Sequence, residues 1–241
     1  PILSWQALPL PPLSSFSGGT GEPNDPFIIS THEQLNSIGC NPRLMAAHFR
    51  LANDIDLDGI DFFPISSRGF PFSGIFDGDG YKIYNFSYEA SAKYSKYSGL
   101  FRYVRGFDSE IRNLTLIRSY IVNDVDSREF YIDNVGLLVG LLYDGTVFNC
   151  HVEDGEVSAI NSSSVGGLIG HNMYGIVEAC SSEAIVKGYY LVGGLLGHNK
   201  SGLVIDCHSL KRSLVNGSLA GGLLGENLYL VIASSASGNV S

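Results

Sequence analysis

Hydrophobic positions in this chain come in short blocks broken by glycine, not in the long stripes of helices. The block VGGLIGHN from Val165 returns as VGGLLGHN from Val192 and AGGLLGEN from Ala220. Looser copies precede it: FSGIFDGD from Phe72, YSGLFRYV from Tyr97 and VGLLVGLL from Val135. Aligned on these blocks, one apolar column runs Ile75, Leu100, Leu138, Leu168, Leu195, Leu223, with spacings of 25, 38, 30, 27 and 28 residues. A second column runs Ile83, Ile111, Val147, Val177, Val204, Val231. Three residues beyond it lies a third: Phe86, Leu114, Cys150, Cys180, Cys207, Ser234. Strand side chains alternate between faces, so two inward residues three apart require a bend between them. The residue before the third column (Asn85, Asn113, Asn149, Ala179, Asp206 or Ala233) is placed to supply it. Asn and Asp tolerate the left-handed backbone that such a bend uses.

A repeat of about 28 residues is also the size of a leucine-rich or ankyrin unit. These repeats, however, are rich in Gly, Ser, Val and Ile and lack the Ala, Glu, Lys and Leu runs of helices. The pattern predicts an all-β chain, a parallel β-helix whose coils stack at about 4.8 Å. Crossovers between parallel strands make it right-handed. Six repeats and a leading coil predict about seven rungs. The N-terminal part differs. Thr31-His32-Glu33-Gln34 is a capping-box pattern, with Thr31 as N-cap and Gln34 reaching back. It predicts a short helix over 34–38, with Leu35 and Ile38 on one face and Gly39 ending it. The expected organisation is an apolar, Pro-rich arm over 1–15, a capping segment over 16–48 and the β-helix over 49–241. The cap covers strand edges that a first coil would leave open.

Composition narrows the function. A chain of 241 residues that is 44% hydrophobic buries a sizeable core. A net charge of -9 argues against a nucleic-acid partner and against docking on an anionic membrane. No apolar run reaches the length of a membrane span. Cys40, Cys150, Cys180 and Cys207 are too few for a disulfide scaffold of this size. Three of them would stack in neighbouring coils, too far apart for comfortable disulfides, and are expected to form a buried, reduced ladder. With no initiator Met and no signal segment, the chain reads as a processed product or an excised piece.

The repeat VGGLIGHN…GIVEACSSEAIVKG resembles the repeat of the GLUG family. Upstream, FSGGTGEPNDPFIISTHEQLNSIG and FRLANDIDLDG resemble the leader that commonly precedes such repeats, and FSGIFDGDGYKIYNFSY resembles another of its segments. The likeness covers roughly residues 16–241, in several separate blocks held in order. It implies a secreted or surface right-handed β-helix from bacteria. Members include adhesins and the non-catalytic parts of large surface proteins, among them IgA-specific metallopeptidases. No single activity follows from it. The Tyr/Lys-rich block over 88–105, the longer coil over 115–134 and the cysteine ladder depart from the family pattern.

Several stretches invite a chemical reading. DIDLDG, from Asp54, opens like a calcium loop, but the twelfth position is Ile65 where an EF-hand needs a bidentate acid. As a strand, it turns Ile55 and Leu57 inward and Asp54, Asp56 and Asp58 to solvent. A non-EF calcium site on these three is the alternative, and no other cofactor is expected. Asp77 and Asp79 read as turn acids. His171-Asn172, His198-Asn199 and Glu226-Asn227 read as a ladder satisfying turn backbones rather than as ligands.

Tyr88, Lys93, Tyr94, Lys96, Tyr97, Arg102, Tyr103 and Arg105 form the one basic and aromatic block of an acidic chain. Tyrosine stacks on sugar rings and Lys or Arg pairs with carboxylates or sulfates. The block is a candidate groove for acidic polysaccharide, against a reading as a solvated surface loop. Asp124, Asp126, Arg128, Glu129, Tyr131 and Asp133 lie in an insertion of the kind that solenoids place on one face. No nucleophile–His–Asp motif or metal-ligand spacing appears.

The arm carries Ile2, Leu3, Trp5, Leu8 and Leu10 among four prolines. It is no helix and is too apolar to float. Either the chain continues into further repeats past Ser241, or the arm or capped face of one protomer covers the open end of the next, head to tail. The expected function is a non-catalytic, extracellular structural or adhesive β-helix of the cell surface, matrix or a filament. Its partners would be itself, other surface proteins or glycans. A polysaccharide-binding or polysaccharide-cleaving β-helix is the alternative.

Overall fold

The computed structural model describes residues 16–90, 96–123, 133–210 and 214–241. The arm with Ile2, Leu3, Trp5, Leu8 and Leu10 lies outside the described residues, as do Lys93, Tyr94, Asp124, Asp126, Arg128, Glu129 and Tyr131.

Nearly every strand pairs in parallel with the strand one coil further on, and the chain is a right-handed parallel β-helix. One ladder runs Phe27, Phe49, Phe76, Ile111, Val147, Val177, Val204, Val231. These are eight levels rather than about seven, because Phe27–Ile29 pairs with Phe49–Leu51 and so begins the ladder inside 16–48. The column also changes in bulk. Phe49, Phe72, Phe76, Phe86 and Phe101 fill the first coils, and Phe76 and Phe101 meet edge to face at 5.3 Å. Later coils fill the same space with Val, Leu and Cys.

The leucine column holds where the blocks repeat most closely. Leu138 N–H donates to the Leu168 carbonyl, Leu168 N–H to that of Leu195, and Leu195 N–H to that of Leu223. Upstream the alignment fails. Ile75 lies opposite Glu110, not over Leu100. Ile83 lies opposite Leu116 rather than Ile111, and the Phe86 carbonyl accepts from Tyr120 N–H, away from Leu114. The cause is that FSG over 72–74 and YSG over 97–99 look alike but do different work. A Cβ on Gly74 would lie 1.9 Å from the Ala47 carbonyl oxygen, beside the cap. One on Gly99 would lie 2.7 Å from the Gly136 carbonyl oxygen, between two sheets.

The expected bends are present. Asn85, Asn113, Asn149, Ala179, Asp206 and Ala233 all have φ between 50° and 58°. A different corner is turned by Asp144, Tyr174 and Ser201, each followed by glycine, at φ 61°, 66° and 63°.

The GG-L-x-G blocks build a thin double layer. Ser164–Gly166 and Ile169–Met173 belong to two different five-stranded sheets joined by a two-residue turn. The sheets approach until backbones touch. A Cβ on Gly166 would lie 2.0 Å from the Ile169 oxygen, and one on Gly197 2.4 Å from Val165 N. Glycine is required here by space, not by φ.

At the N-terminal end, helix α1 spans His32–Cys40 with both halves of the capping box formed by Thr31 and Gln34. Gly39 does not end it. The helix runs on to Cys40, and Asn41, in extended conformation, is the C-cap. Gly39 instead lies against the chain at Phe63, where a Cβ would sit 2.0 Å from the carbonyl oxygen.

Candidate functional site

The acids of DIDLDG act as fasteners between coils. Ile55 and Leu57 are buried and the three aspartates face outward. Asp54 Oδ1 accepts from Lys82 N–H at 2.9 Å, and Asp56 Oδ1 accepts from Asn85 Nδ2 at 2.6 Å and Asp58 N–H at 3.0 Å. The bonds from Asn85 and Asp58 hold the Asp56 carboxyl below its usual range. Asp77 is used in the same way, accepting from Asp79 N–H, Arg112 Nε and Asn113 Nδ2. Among the described residues no group of three or more His, Cys, Asp or Glu side chains is placed to hold a metal ion.

Cys150, Cys180 and Cys207 are free and buried. Cys180 Sγ accepts from Cys150 N–H at 3.4 Å. Burial pushes the Cys150 thiol up to about 12 and Cys180 well above its ordinary value. Burial thus holds both as thiols at neutral pH and disfavours the thiolate that nucleophilic chemistry uses. Two imidazoles reach across coils to hydroxyls: His151 Nδ1 is 2.9 Å from Ser181 Oγ, and His208 Nδ1 is 2.9 Å from Ser235 Oγ. Asn149 Oδ1 and Asp206 Oδ1 lie at 3.1 and 3.3 Å from the other ring nitrogens. In outline these are hydroxyl–imidazole–acceptor chains. They follow from register, because His151 pairs with Ser181 and His208 with Ser235, and they sit on an outer sheet face. Two shallow clefts lie elsewhere, one lined by Thr20, Glu22, Phe27, Arg43 and His48, the other by Ser30, His32, Glu33, Asp54 and Asp56.

The basic, aromatic block is divided by the fold. Arg102 donates from Nη2 to the Tyr88 hydroxyl at 2.7 Å and stacks on that ring at 5.3 Å, forming a closed pair. Lys96 lies near Asp133, whose carboxyl is raised by burial and eased back by the lysine charge. Tyr97, Tyr103 and Arg105 join residues from later coils. Tyr97 and Tyr103 rings are 5.5 Å apart, Arg105 lies 5.3 Å above Tyr143, and Tyr143 meets Tyr174 edge to face at 5.6 Å. Arg105, Tyr143, Met173 and Lys200 are register partners in four successive coils. The sequence reading missed Tyr143, Tyr174 and Lys200. The repeat blocks held the signal: Arg105, Tyr143, Met173 and Lys200 each directly follow one of the eight-residue copies.

Two positions before this row, on the same face, run Tyr103, Leu141, His171, His198 and Glu226. The His171 and His198 rings stack at 4.5 Å, and His198 Nε2 is 3.1 Å from Glu226 Oε2. Burial, then the neighbouring His198 and Lys200 charges, lowers His171 to about 4. The unfolded chain therefore takes up a proton below about 6.5 that the folded chain refuses until about 4, so stability falls as pH drops through that window. The loss from this group is about 3 kcal/mol. Carboxylates held low, such as Asp56 and Asp77, withdraw their contribution at still lower pH. Urea unfolding at pH 7 and pH 4 is expected to show the difference. His171→Leu, which copies Leu141 of the same column, should flatten it.

One position beyond the histidines, Asn172 and Asn199 are fully buried. Asn172 Nδ2 donates to Asn199 Oδ1 at 3.0 Å, and Asn199 Nδ2 to Asn227 Oδ1 at 2.8 Å. Each amide also closes its corner: Gly175 N–H donates to Asn172 Oδ1, and Asn199 Nδ2 donates to the Gly202 carbonyl. The ladder expected from the repeated Asn is present.

Comparison with known proteins agrees with this architecture. The family described as the GLUG motif matches residues 161–187. Over 169 residues the chain is 34% identical to Halomucin of Haloquadratum walsbyi, covering 63% of this chain and 2% of that protein. Over 148 residues it is 33% identical to a provisionally named Gly-rich membrane protein of Evansella cellulosilytica, covering 59% of this chain and 16% of that protein. The chain thus spans a small part of the length of these curated relatives. A crystal structure of a provisionally named immunoglobulin A1 protease from Bacteroides ovatus shares the fold, with a TM-score of 0.74 at 24% identity, over 93% of this chain and 70% of that one.

Proposed function

We propose, from the premise that this chain is a GLUG-repeat protein, that it is a non-catalytic β-helix of the cell surface or extracellular matrix with a structural or adhesive role. The observation that carries this is where its reactive side chains go. Carboxylates, amides, thiols and imidazoles are committed to joining one coil to the next. Asp56 to Asn85, Cys150 to Cys180, His151 to Ser181 and Asn172 to Asn199 are all such links. A solenoid fastened in this way is a spacer and a surface. The name of the Evansella relative and the length of both curated relatives support a place at the cell envelope. No helix among the described residues is long and apolar enough to cross a membrane.

Self-association is part of the proposal. In this chain, Leu228, Tyr229, Leu230, Ile232 and Val240 are exposed, and the strand edges of their coil can pair with any β-structure set beside them, whether further coils of the same protein or another copy. Head-to-tail contact of this kind builds filaments unless it closes. Negative-stain imaging and sedimentation of the purified chain are expected to show end-to-end particles. Replacing Leu230 and Ile232 by Lys should reduce them to single short rods. Wild-type particles that stay single at every concentration would remove self-association from the reading.

A further inference from the structure

The outer row Arg105, Tyr143, Met173 and Lys200 runs through four successive coils, with Arg105 and Lys200 exposed and Tyr143 and Met173 half-buried. We infer that it binds an extended anionic glycan, a chain of uronic-acid or sulfated sugars lying along the solenoid axis. This deepens the adhesive reading and rests on it. Tyr97, Tyr103, Tyr143 and Tyr174 form a chain of ring contacts along this side, linked through Arg105. Tyr174 is 51% exposed at its corner, free to offer a ring to a sugar.

Spacing favours a polymer. Register partners in successive coils repeat at about 4.8 Å, a distance comparable with one pyranose ring, so neighbouring sugars can meet equivalent positions in neighbouring coils. An open face suits a chain that lies on a surface rather than a small molecule that needs enclosure. Tyrosine supplies a flat amphipathic platform at low conformational cost.

Charge selects the class. The protein carries a net -9, yet this row presents Arg105 and Lys200, both exposed. Glu226, on the adjoining row, lies 3.1 Å from His198, which burial keeps neutral, so this acid keeps its charge at the end of the row away from Arg105. Asp144, at the corner one coil before Tyr174, is half-buried. Arg105 is held in place over Tyr143, which spares a bound glycan the cost of ordering it. Its guanidinium keeps several donors for carboxylate or sulfate oxygens.

The test uses the full chain and two probes of equal length, oligogalacturonate and cellohexaose, measured by titration calorimetry at low and moderate salt. Oligogalacturonate is expected to bind, more weakly as salt rises, and cellohexaose at least about tenfold more weakly. Tyr174→Ala, Arg105→Gln and Lys200→Gln should each weaken oligogalacturonate by about tenfold, the scale of one stacking or one charge-assisted contact. Lys187→Gln, on a different face and paired with Glu156, should leave it unchanged. Circular dichroism and urea midpoints check that each variant is folded.

Equal binding of the two probes would overturn the anionic class. Binding indifferent to the three substitutions would overturn the site, and no binding at millimolar probe would overturn both. The outcome separates from the reading beneath it. Particles that still assemble without binding glycan would sink this inference and leave the structural role standing.

Discussion

Replacing Gly193 by alanine should destabilise the β-helix by about 3 kcal/mol or more, a large share of the stability of an ordinary domain. Its new methyl would lie 1.9 Å from the Leu196 carbonyl oxygen, 2.8 Å from the Leu196 carbonyl carbon and 2.7 Å from Gly225 N. All three are backbone atoms in paired strands, so no flexible side chain can move aside. To admit the methyl, Leu191–Gly193 and Leu196–Lys200 must separate, and their separation breaks ladders to the coils on both sides. The effect should exceed that of an ordinary small-to-large change, because the strain is shared by several coils. Gly69 is the control. A Cβ there would meet nothing within 4 Å, and its φ is not positive, so Gly69→Ala should change stability by less than about 0.5 kcal/mol. Urea titrations of both variants, compared by midpoint at equal slope, decide the matter. A Gly193→Ala midpoint equal to wild type would mean that the double layer is looser than these contacts require.

The same glycines explain what could be read from the sequence. The double layer tolerates so few residues that its blocks recur almost letter for letter, and from Val135 onward the coils could be aligned by eye. The left-handed corners were legible for a related reason: Asn113, Asn149 and Asp206 suit that backbone, and they mark the position that Ala179 and Ala233 also occupy. Register in the first coils was not legible. There the core is filled by phenylalanine, the coils differ in length, and FSG at one corner imitates YSG at another. A strand can be assigned from its own residues, but which strand lies beneath it depends on the length of everything between.

The tyrosine face was half legible. Tyr97, Tyr103 and Arg105 are near neighbours in the chain and stood out as a basic, aromatic block. Tyr143, Tyr174 and Lys200 come to them only through stacking of coils some 30 residues apart. The fold also withdrew part of the block: Arg102 is occupied by the Tyr88 hydroxyl and ring. Proximity in sequence overstated one side of the site and hid the other.

Asn199→Leu is the second substitution expected to be severe, at about 3 kcal/mol, although leucine fits the column by shape and Leu142 occupies it two coils earlier. The loss is of hydrogen bonds. Asn199 is fully buried, and its amide gives one bond to the Gly202 carbonyl at 2.8 Å, another to Asn227 Oδ1 at 2.8 Å, and receives one from Asn172 Nδ2 at 3.0 Å. Leucine takes this donor from the buried Gly202 carbonyl and one of two acceptors from Asn172 Nδ2, which keeps only the Gly175 carbonyl, and a buried orphan costs about 1–3 kcal/mol. Leu142 escapes this cost because it does not follow another buried amide in the preceding coil, where Val104 stands. Asn199→Asp sharpens the test. It keeps an acceptor for Asn172 but loses the donor, and it buries a charge, so its folded carboxyl is raised above the unfolded value. The sign then opposes that of His171: the aspartate variant should be damaged most near pH 7 and recover relative to wild type as pH falls and the carboxyl gains a proton to donate. If Asn199→Asp and Asn199→Leu lose stability equally at pH 7 and pH 4, the amide ladder is filling space and not carrying the corner. If instead the aspartate variant recovers toward wild type in acid while the leucine variant does not, the bond to Gly202 is what holds each coil to its turn.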